Sequence, residues 1–391
     1  MSKQLVVAQV GCGGFAVDQH GPNIVRNPHT TRIKWACDIS DAAARKYAAE
    51  FGAENVSTSI EQATTDPEVD IVCIATSHEA HVPIIESAAR NGKHVFCEKP
   101  MAFDEEQAIR IMRAVRRGNI KLCVDYNRRM APASIALKRQ WQAHRDHVTH
   151  QPWRVATRQR EQLPEEKVSD FFVRVQDESS SYRMVHLDPT HGGGLVIGEG
   201  VHWLDLACWL FDEDVPVEMM AWGSSRMRYG MHLAFRSGNA ATISMTPNGT
   251  FDYPKEQFEI ACDGALFRME HWVENQYFGR PGIERETFPL QRDPLPDVGQ
   301  QGGLAGYMEK YSRWMRGAAD PLGNYLKIWP NHGWEEMFNG FVESVVNDRR
   351  TPCNELDGYR ATLLGRLAVT SIELNQPLPI PVENWNVHLE V

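Results

Sequence analysis

Short apolar runs separated by longer amphipathic segments make up the first third of the chain. The runs have the length and the continuous apolar character of strands that are buried on both faces of a parallel sheet. Five such runs are present: Leu5–Val10, Arg32–Cys37, Val69–Ala75, His94–Cys97 and Ile120–Val124. Strands that alternate with helices predict a doubly wound parallel sheet.

Two of the segments between the runs carry signals of helix ends. The segment 81–92 has apolar residues at helical spacing and ends at Gly92, a typical residue just beyond a helix. The segment 104–118 begins with Asp104 and has Gln107 three residues later, which is a variant of the capping box. Both segments are therefore expected to be helices that connect neighbouring strands.

The pattern changes near Arg129, where polar loops lengthen and polar and apolar residues begin to alternate. The segments 228–247 and 256–272 alternate in this way, which is typical of antiparallel strands with one buried face. The first pair of strands would be joined near Gly238. These segments predict an α+β domain that is built around an antiparallel sheet.

The two patterns predict two domains, residues 1–128 and residues 129–391. Helical spacing returns near the end of the second domain, in the segments 334–349 and 358–375, and these helices can pack back on the first domain. A chain of 391 residues, of which 42% are hydrophobic, is long enough to bury two cores.

Charge and cysteine usage narrow the class of protein. The formal net charge is −10 and the pI is about 5.9, which disfavours nucleic acid or an anionic membrane as a partner. The eight cysteines stand singly, without a CxxC pair, so no metal site is expected and the chain suits a reducing compartment. The N-terminus lacks the long apolar core of a signal peptide, and no run of about eighteen apolar residues occurs. The sequence therefore predicts a cytoplasmic protein that does not enter a membrane.

A glycine-rich turn follows the first predicted strand. The turn reads Gly11-Cys12-Gly13-Gly14-Phe15-Ala16 and fits G-x-G-x-x-G/A, with alanine in the third position. In this motif the first glycine makes a tight turn, the second lets the backbone approach a pyrophosphate, and the third small residue lets helix and strand pack closely. The following helix would present free N–H groups to the phosphates. The turn therefore predicts a dinucleotide site.

Asp38 ends the second predicted strand, 22 residues after Ala16. A carboxylate at that distance hydrogen-bonds the ribose hydroxyls of an adenosine. It would repel the 2′-phosphate of NADP, so we predict NAD as the cofactor, with NADP less favoured. In the alternative interpretation, Asp38 only caps the next helix.

A charged tripeptide, Glu98-Lys99-Pro100, directly follows the fourth predicted strand. Side chains at the carboxyl end of a parallel strand face the ligand crevice, so Lys99 would project toward a bound nicotinamide. There it can donate to a substrate hydroxyl, stabilise a developing alkoxide and relay a proton. Glu98 would bind the cofactor or hold the lysine. Considered alone, the tripeptide is better explained as a surface ion pair before a turn.

The tripeptide occurs together with further motifs. The chain has "ATSHEAH" at 75–81, "GKHVFCEKP" at 92–100, "YNRR" at 126–129 and "GGGLVIGEGVHWLD" at 192–205. With the glycine turn and Asp38, these segments resemble the Gfo/Idh/MocA family, named after glucose–fructose oxidoreductase and inositol dehydrogenase. The resemblance spans almost the whole chain. It implies an NAD-binding Rossmann domain followed by an α+β domain with a large, open, mostly antiparallel sheet, which binds substrate and forms oligomers.

The resemblance also implies roles for single residues. The lysine of E-K-P contacts nicotinamide and substrate in the family, which assigns Lys99. The histidine of G-x-H-x-x-D acts as acid/base, which assigns His202, and Asp205 on the same helix face would orient it. Besides the glycine turn, Asp38, Glu98 and Lys99, the implied cofactor contacts are Ala75, Thr76, Ser77, His81 and Asn127. From the residues alone, His202 is better explained as a core histidine of an amphipathic helix.

Some positions depart from the family pattern. The acid that often stands four residues before the histidine is Gly198, and Glu199 would replace it if the helix begins near Gly198. His78 and Ser77 replace the usual asparagine and proline, so the adenine side of the site would differ.

The segment 161–191 looks like an insertion. It is rich in charge and contains Tyr182, Arg183 and His186. Long loops of this kind are often functional or disordered, so it could form part of the substrate pocket.

Three functions are consistent with the sequence. In the first, which the resemblance favours, the protein moves a hydride between NAD and a secondary hydroxyl of a sugar, cyclitol or related polyol. Lys99 and His202 would act on the hydroxyl, supported by Glu199 and Asp205. In the second, NAD assists the hydrolysis or elimination of a glycoside through transient oxidation, and no net NADH accumulates. In the third, the protein is a non-catalytic regulator that binds a dinucleotide, which would not need Lys99 and His202 together.

Two further features bear on partners. An open sheet face favours pairing, so we expect a homodimer or homotetramer. The segment "YLKIWPNHGWEEMF" places Trp329, His332 and Trp334 close together. Aromatic rings stack on the C–H faces of sugars, and they pack equally well in a core, so the sequence does not decide between the two.

Overall fold

The computed structural model describes the chain in ten stretches. They are residues 4–26, 30–147, 168–177, 187–188, 193–212, 214–250, 252–280, 282–291, 302–317 and 328–385. Tyr182, Arg183 and His186 of the predicted insertion lie outside these residues. None of the described helices combines the length and the apolar composition needed to cross a membrane.

The described residues before Arg129 form a six-stranded sheet in the order β3-β2-β1-β4-β5-β6. Every pair of neighbours is parallel, and helices cross over between them. The strands are β1 Leu5–Val10, β2 Thr31–Cys37, β3 Asn55–Ser57, β4 Ile71–Ile74, β5 His94–Cys97 and β6 Leu122–Val124. The helices are α1 Gly21–Val25, α2 Asp41–Phe51, α3 Ile60–Thr65, α4 His81–Arg90 and α5 Glu105–Gly118. The predicted doubly wound sheet is confirmed.

Sequence signals within a few residues of each helix end can be compared with the structure. Asp104 caps α5 as predicted, because its Oδ1 accepts a hydrogen bond from the Gln107 N–H at 2.8 Å. The side chain of Gln107 accepts from the Phe103 N–H rather than from Asp104, so the capping box is incomplete. Gly92 terminates α4 as expected: Asn91 is the C-cap, and Gly92 follows it just beyond the helix with a φ of 66°.

The described residues after Arg129 contain a nine-stranded sheet in the order β14-β13-β12-β11-β7-β10-β9-β8-β15. All neighbours are antiparallel except β7 and β10, which run parallel. The strands are β7 Ser169–Gln176, β8 Pro216–Gly223, β9 Tyr229–Phe235, β10 Ala240–Thr246, β11 Glu256–Cys262, β12 Ala265–Glu270, β13 Glu274–Phe278, β14 Arg285–Thr287 and β15 Leu378–Pro379. The large, mostly antiparallel sheet is therefore confirmed.

Strand β7 corrects the interpretation of 161–191 as an insertion. It lies at the centre of the second sheet, between β11 and β10. Alternate side chains of β7, such as Phe171 and Val173, are buried in the core, whereas Phe172 is 44% exposed on the other face. This alternation is the signature of a half-buried strand, and the charged surroundings concealed it. Phe172 shares its exposure with Trp222 and Phe278 on other strands of the sheet. The homo-oligomer stays a prediction.

Helices join the two sheets. The second domain carries α6 Pro132–His147, α7 Val201–Phe211, α8 Gly303–Gly317, α9 Trp334–Val346 and α10 Glu355–Leu374. Although α9 and the start of α10 come late in the chain, their apolar side chains belong to the core of the first sheet. Phe338 and Phe341 pack on Phe96 of β5 with ring centroids 5.4 and 5.6 Å apart. The later residues of α10, including Leu364 and Ala368, belong to the core of the second sheet. One helix thus contributes to both cores and fixes the cleft between them.

Candidate active site

The glycine turn after β1 needs its first glycine for steric reasons. Gly11 has a φ of +84°, and a Cβ at this position would lie 2.2 Å from the carbonyl oxygen of Ala75. The turn therefore packs directly against the end of β4. Gly13 and Gly14 are exposed, and a Cβ at either would meet no described atom within 4 Å. Open space above this backbone is what a pyrophosphate needs.

The helix that follows the turn suits the same group. Its first backbone hydrogen bond runs from the Val17 N–H to the Gly13 carbonyl at 3.1 Å. The N–H groups before Val17 are those that a helix leaves without an intrahelical acceptor, and they favour anions. A π-helical turn, Ala16–His20, then continues into α1. Ala16 is completely buried, as close packing of helix and strand requires.

Asp38 links the end of β2 to the glycine turn. Its Oδ2 accepts a hydrogen bond from the Cys12 N–H at 2.7 Å, and its Oδ1 accepts one from the Ser40 N–H at 2.8 Å. The N-cap of α2 is Ser40, whose Oγ accepts from the Ala43 N–H. Asp38 is therefore not the cap of the next helix, and the alternative interpretation is wrong. A half-buried carboxylate held against the turn suits the adenosine ribose of NAD.

The segment after β4 has a structural part and an exposed part. Ala75 and Thr76 are half-buried next to the glycine turn, and Ser77 is exposed. His81 is fully buried, and its Nδ1 lies 2.9 Å from the Pro100 carbonyl. This contact holds His81 against the chain at Pro100. The contact of His81 with the cofactor stays a prediction.

Glu98 lies in a buried polar cluster at the ends of β5 and β6. His20 Nε2 is 2.9 Å from Glu98 Oε1, and Asp125 shares a further hydrogen bond with Glu98. Burial, and then the charge of Glu98, raise the pKa of Asp125 well above its ordinary value. Within the described residues these three side chains are the one group that is close enough to coordinate a metal ion. Their mutual hydrogen bonds account for the cluster, which holds Glu98 at the edge of the cleft.

Lys99 joins the end of β5 to the segment that precedes α7. Its Nζ donates to the Gly198 carbonyl at 2.8 Å and to Glu199 Oε1 at 3.0 Å. Burial alone would raise the pKa of Glu199, but Lys99, followed by Lys255 and Arg128, lowers it to about 2. The carboxylate is therefore ionised at any working pH. Glu199 occupies a π-helical turn, Val196–Gly200, that leads into α7.

His202 stands one turn into the same helical segment and lines the same cavity as Lys99. It is 3% exposed, and its ring meets Tyr126 edge to face at 5.7 Å. No described residue hydrogen-bonds its Nδ1. Burial, Arg128 and Lys99 lower the pKa of His202 well below 6.5, so the ring is neutral and able to accept a proton. His81 and His332 also have a ring nitrogen that no described residue hydrogen-bonds, so the position of His202 in the cavity, and not this nitrogen alone, sets it apart from a core histidine.

Asp205 does not have the expected role of orienting His202. Its Oδ2 accepts from Arg129 Nε at 3.0 Å, and its Oδ1 accepts from Arg129 Nη2. Arg129 also binds Asp357 of α10 at 3.3 Å and the Pro352 carbonyl at 2.9 Å. Asp205 lies three residues after His202 on the same helix, but its carboxylate is bound by the buried Arg129, which precedes it by 76 residues in the sequence. Asp205 therefore holds α7 against α10.

The cavity has a volume of about 790 Å³, including its open mouth. Phe15, Glu98, Lys99, Asn127, Glu199 and His202 line it, and each of them is a predicted site residue. Asn127 also binds the His332 carbonyl through its Nδ2 at 2.9 Å. The sequence did not single out the other ionisable lining residues, which are Arg128, Asp177, Lys255, Glu256 and His271. Arg128 lies within the Y-N-R-R segment, and the other four lie at or next to strand ends of the second sheet, where no local pattern marks them.

Comparisons with known proteins show which proteins this chain resembles. Residues 5–126 match a family model described as "Oxidoreductase family, NAD-binding Rossmann fold". The chain is 22% identical over 391 residues to the uncharacterized oxidoreductase YrbE of Bacillus subtilis strain 168, covering 97% of this chain and 98% of the relative. It is 34% identical over 108 residues to inositol 2-dehydrogenase of Rhizobium meliloti strain 1021, covering 28% and 32% of the two chains.

The fold is shared with a solved enzyme over almost its full length. Levoglucosan dehydrogenase in complex with NADH and L-sorbose aligns with a TM-score of 0.74 at 18% identity, covering 97% of this chain and 100% of that chain. At this identity the likeness concerns the fold. It extends the agreement from residues 5–126 to the second sheet.

The position of Asp38 predicts how the protein chooses between dinucleotides. We expect Asp38→Ser combined with Ile39→Arg to raise the ratio of NADP to NAD affinity by roughly 10- to 100-fold, because a charged hydrogen bond is worth about 1.5–3 kcal/mol. Ile39 is 97% exposed, so an arginine there can reach a phosphate. Calorimetric titration with each dinucleotide measures the ratio. Asp41→Asn on the exposed start of α2 is the control, and equal affinity of the unchanged protein for NADP and NAD would refute the role of Asp38.

The contacts of Asp205 predict a loss of stability rather than of proton transfer. Asp205→Asn should lower the free energy of unfolding by about 1.5–3 kcal/mol, because two charge-assisted hydrogen bonds weaken while Asp357 still compensates Arg129. Urea denaturation measures this loss, with Asp348→Asn at an exposed ion pair as the control. If the variant is as stable as the parent but its pH–rate profile shifts, Asp205 orients His202 after all.

Proposed function

From the match of residues 5–126 to a family of NAD-binding oxidoreductases, we propose that the protein is a Gfo/Idh/MocA enzyme that oxidises a secondary hydroxyl of a sugar, cyclitol or related polyol with NAD. One observation carries the proposal. Lys99 from the first domain and His202 from the second line one cavity, and Phe15 of the glycine turn lines it as well. The names of two relatives, an inositol dehydrogenase and a levoglucosan dehydrogenase, support this class of substrate.

The residues of the chain supply the groups that such a reaction needs. The hydroxyl proton passes to the neutral imidazole of His202, and the ammonium of Lys99 stabilises the negative charge that develops on the oxygen. Glu199 and the Gly198 carbonyl hold that ammonium in place. Gly13, Gly14 and Asp38 would hold the dinucleotide. When bound, NAD supplies the hydride acceptor.

A substrate screen tests the function directly. Cyclitols, aldoses and glycosides are mixed with the protein and NAD, and absorbance at the NADH band is followed. We expect one NADH for each polyol oxidised. Release of an aglycone without accumulation of NADH would instead favour the glycoside hydrolase or lyase, and no change with any compound would leave the dinucleotide-binding regulator.

Replacement of Lys99 is expected to separate binding from turnover. Lys99→Met should bind NAD like the parent but lose kcat by about 10²–10⁴-fold, because the alkoxide loses its cation. Calorimetry measures NAD binding and NADH formation measures kcat. Lys46→Met on the exposed face of α2 is the matched control. Near-parental turnover of Lys99→Met would remove Lys99 from the reaction.

The lowered pKa of His202 predicts the pH profile of oxidation. The basic form is fully present above the lowered pKa, so kcat/KM should stay level from pH 8 down to about 6.5 and fall only at lower pH, as His202 is protonated. Glu199, with a pKa of about 2, does not contribute in this range. His202→Asn should abolish this acidic limb. A limb with its midpoint above pH 6.5 in the parent would contradict a buried, neutral His202.

A further inference from the structure

The described cations that line the cavity are each bound to a carboxylate. Lys99 pairs with Glu199 at 3.0 Å, and Lys255 pairs with Asp177 at 2.6 Å. Arg128 binds both oxygens of Glu256, at 3.1 and 2.5 Å. The positive charge of this wall is therefore compensated by the protein itself.

This pairing limits what the cavity can accept. A carboxylate or phosphate on a substrate would compete with Asp177 for Lys255 or with Glu256 for Arg128. Both acids are almost completely buried, at 1% exposure, and the displaced acid would lose its hydrogen-bonding cation. A buried charge without its partner is strongly destabilising. An anionic substrate thus meets an unfavourable exchange, whereas an uncharged one leaves the pairs intact.

Next to Glu256, the same cavity offers aromatic faces and neutral polar nitrogens. Trp329 and Trp334 lie with ring centroids 4.6 Å apart, and His332 is 4.9 Å from Trp334. Trp329 Nε1 and His332 Nδ1 are buried, and no described residue hydrogen-bonds either atom. Burial lowers the pKa of His332, although Glu256 opposes the shift, so its ring is neutral. Buried polar atoms without a partner are rare in proteins, and a ligand hydroxyl satisfies them.

We propose that the cavity is specific for an uncharged polyhydroxylated ring, which packs on Trp329 and hydrogen-bonds Trp329 Nε1 and His332 Nδ1, and that the Lys255–Asp177 pair excludes analogues bearing a carboxylate or phosphate. This inference rests on the proposed function and specifies its substrate class. Trp329 and His332 determine binding of the ring, and Lys99 and His202 act on the reacting hydroxyl. Hydroxyl groups suit neutral donors and acceptors, and the C–H face of a ring suits the indole.

The first test compares neutral and anionic compounds with the same ring. Glucose and myo-inositol are titrated into the NADH-bound protein by calorimetry, beside glucuronate and glucose 6-phosphate, and each is assayed with NAD for turnover. We expect a neutral compound to bind at least about 10-fold more tightly than its anionic counterpart. Equal or tighter binding of the anions overturns the inference even if the protein is a dehydrogenase. If nothing is oxidised, the proposed function fails, while the binding comparison still decides the inference.

The second test removes the carboxylate that pairs with Lys255. Asp177→Asn frees Lys255, so the affinity for glucuronate relative to glucose should rise at least about 10-fold. Lys255→Met removes the same cation and should leave the ratio low, which separates the charge effect from a general disturbance of the cavity. Asp252→Asn, at an exposed turn, is the matched control. An unchanged ratio in a folded Asp177→Asn variant contradicts the assigned role of the pair.

The third test separates the two contributions of Trp329 to substrate binding, which are its aromatic face and its indole N–H. Trp329→Phe keeps an aromatic face and loses the N–H, and Trp329→Ala loses both, so KM should rise stepwise, about 10-fold for each loss, with kcat changed less than threefold. Trp222→Phe is the control, because Trp222 is 46% exposed on the second sheet and does not line the cavity. A fall in kcat with KM unchanged, or a parental KM in Trp329→Ala, overturns the assignment of Trp329.

Discussion

The contact of Lys99 with the Gly198 carbonyl and Glu199 is the constraint on which the site depends. It joins the end of β5 to the π-helical turn before α7, two segments about a hundred residues apart in the sequence. A half-buried ammonium needs acceptors, and these two fix where its charge lies. The same turn places His202 in the cavity. The Lys99–Glu199 ion pair thereby fixes the position of the Lys99 ammonium relative to the His202 imidazole.

Packing around the site keeps the positions of Lys99 and His202 fixed. Helix α10 contributes to both cores, and Arg129 ties Asp205 of α7 to Asp357 of α10. Buried ion pairs of this kind add little net stability, but losing one partner is costly, so they specify one arrangement. Asp205 thus holds α7 to α10 through Arg129, and His202 lines the cavity.

Local chemistry made much of the fold predictable, and non-local contacts limited the rest. The glycine turn, Asp38, the cap at Asp104 and strands β1 and β5 follow from signals within a few residues. The three residues of β3 are too few for a pattern, and β7 was hidden among charged residues. Helical spacing could not show that Arg129 binds Asp205, since Arg129 lies 76 residues away. Lys255 and Asp177 meet only because β11 pairs with β7.

The central claim is that Lys99 and His202 act together on one hydroxyl. A double-mutant cycle measures this directly, with Lys99→Met, His202→Asn and the double variant assayed for kcat on the same polyol at saturating NAD. If both residues serve one proton-transfer step, the double variant is hardly slower than the slower single variant. A double variant whose loss equals the product of the two single losses would show that the residues act independently, and would contradict the account.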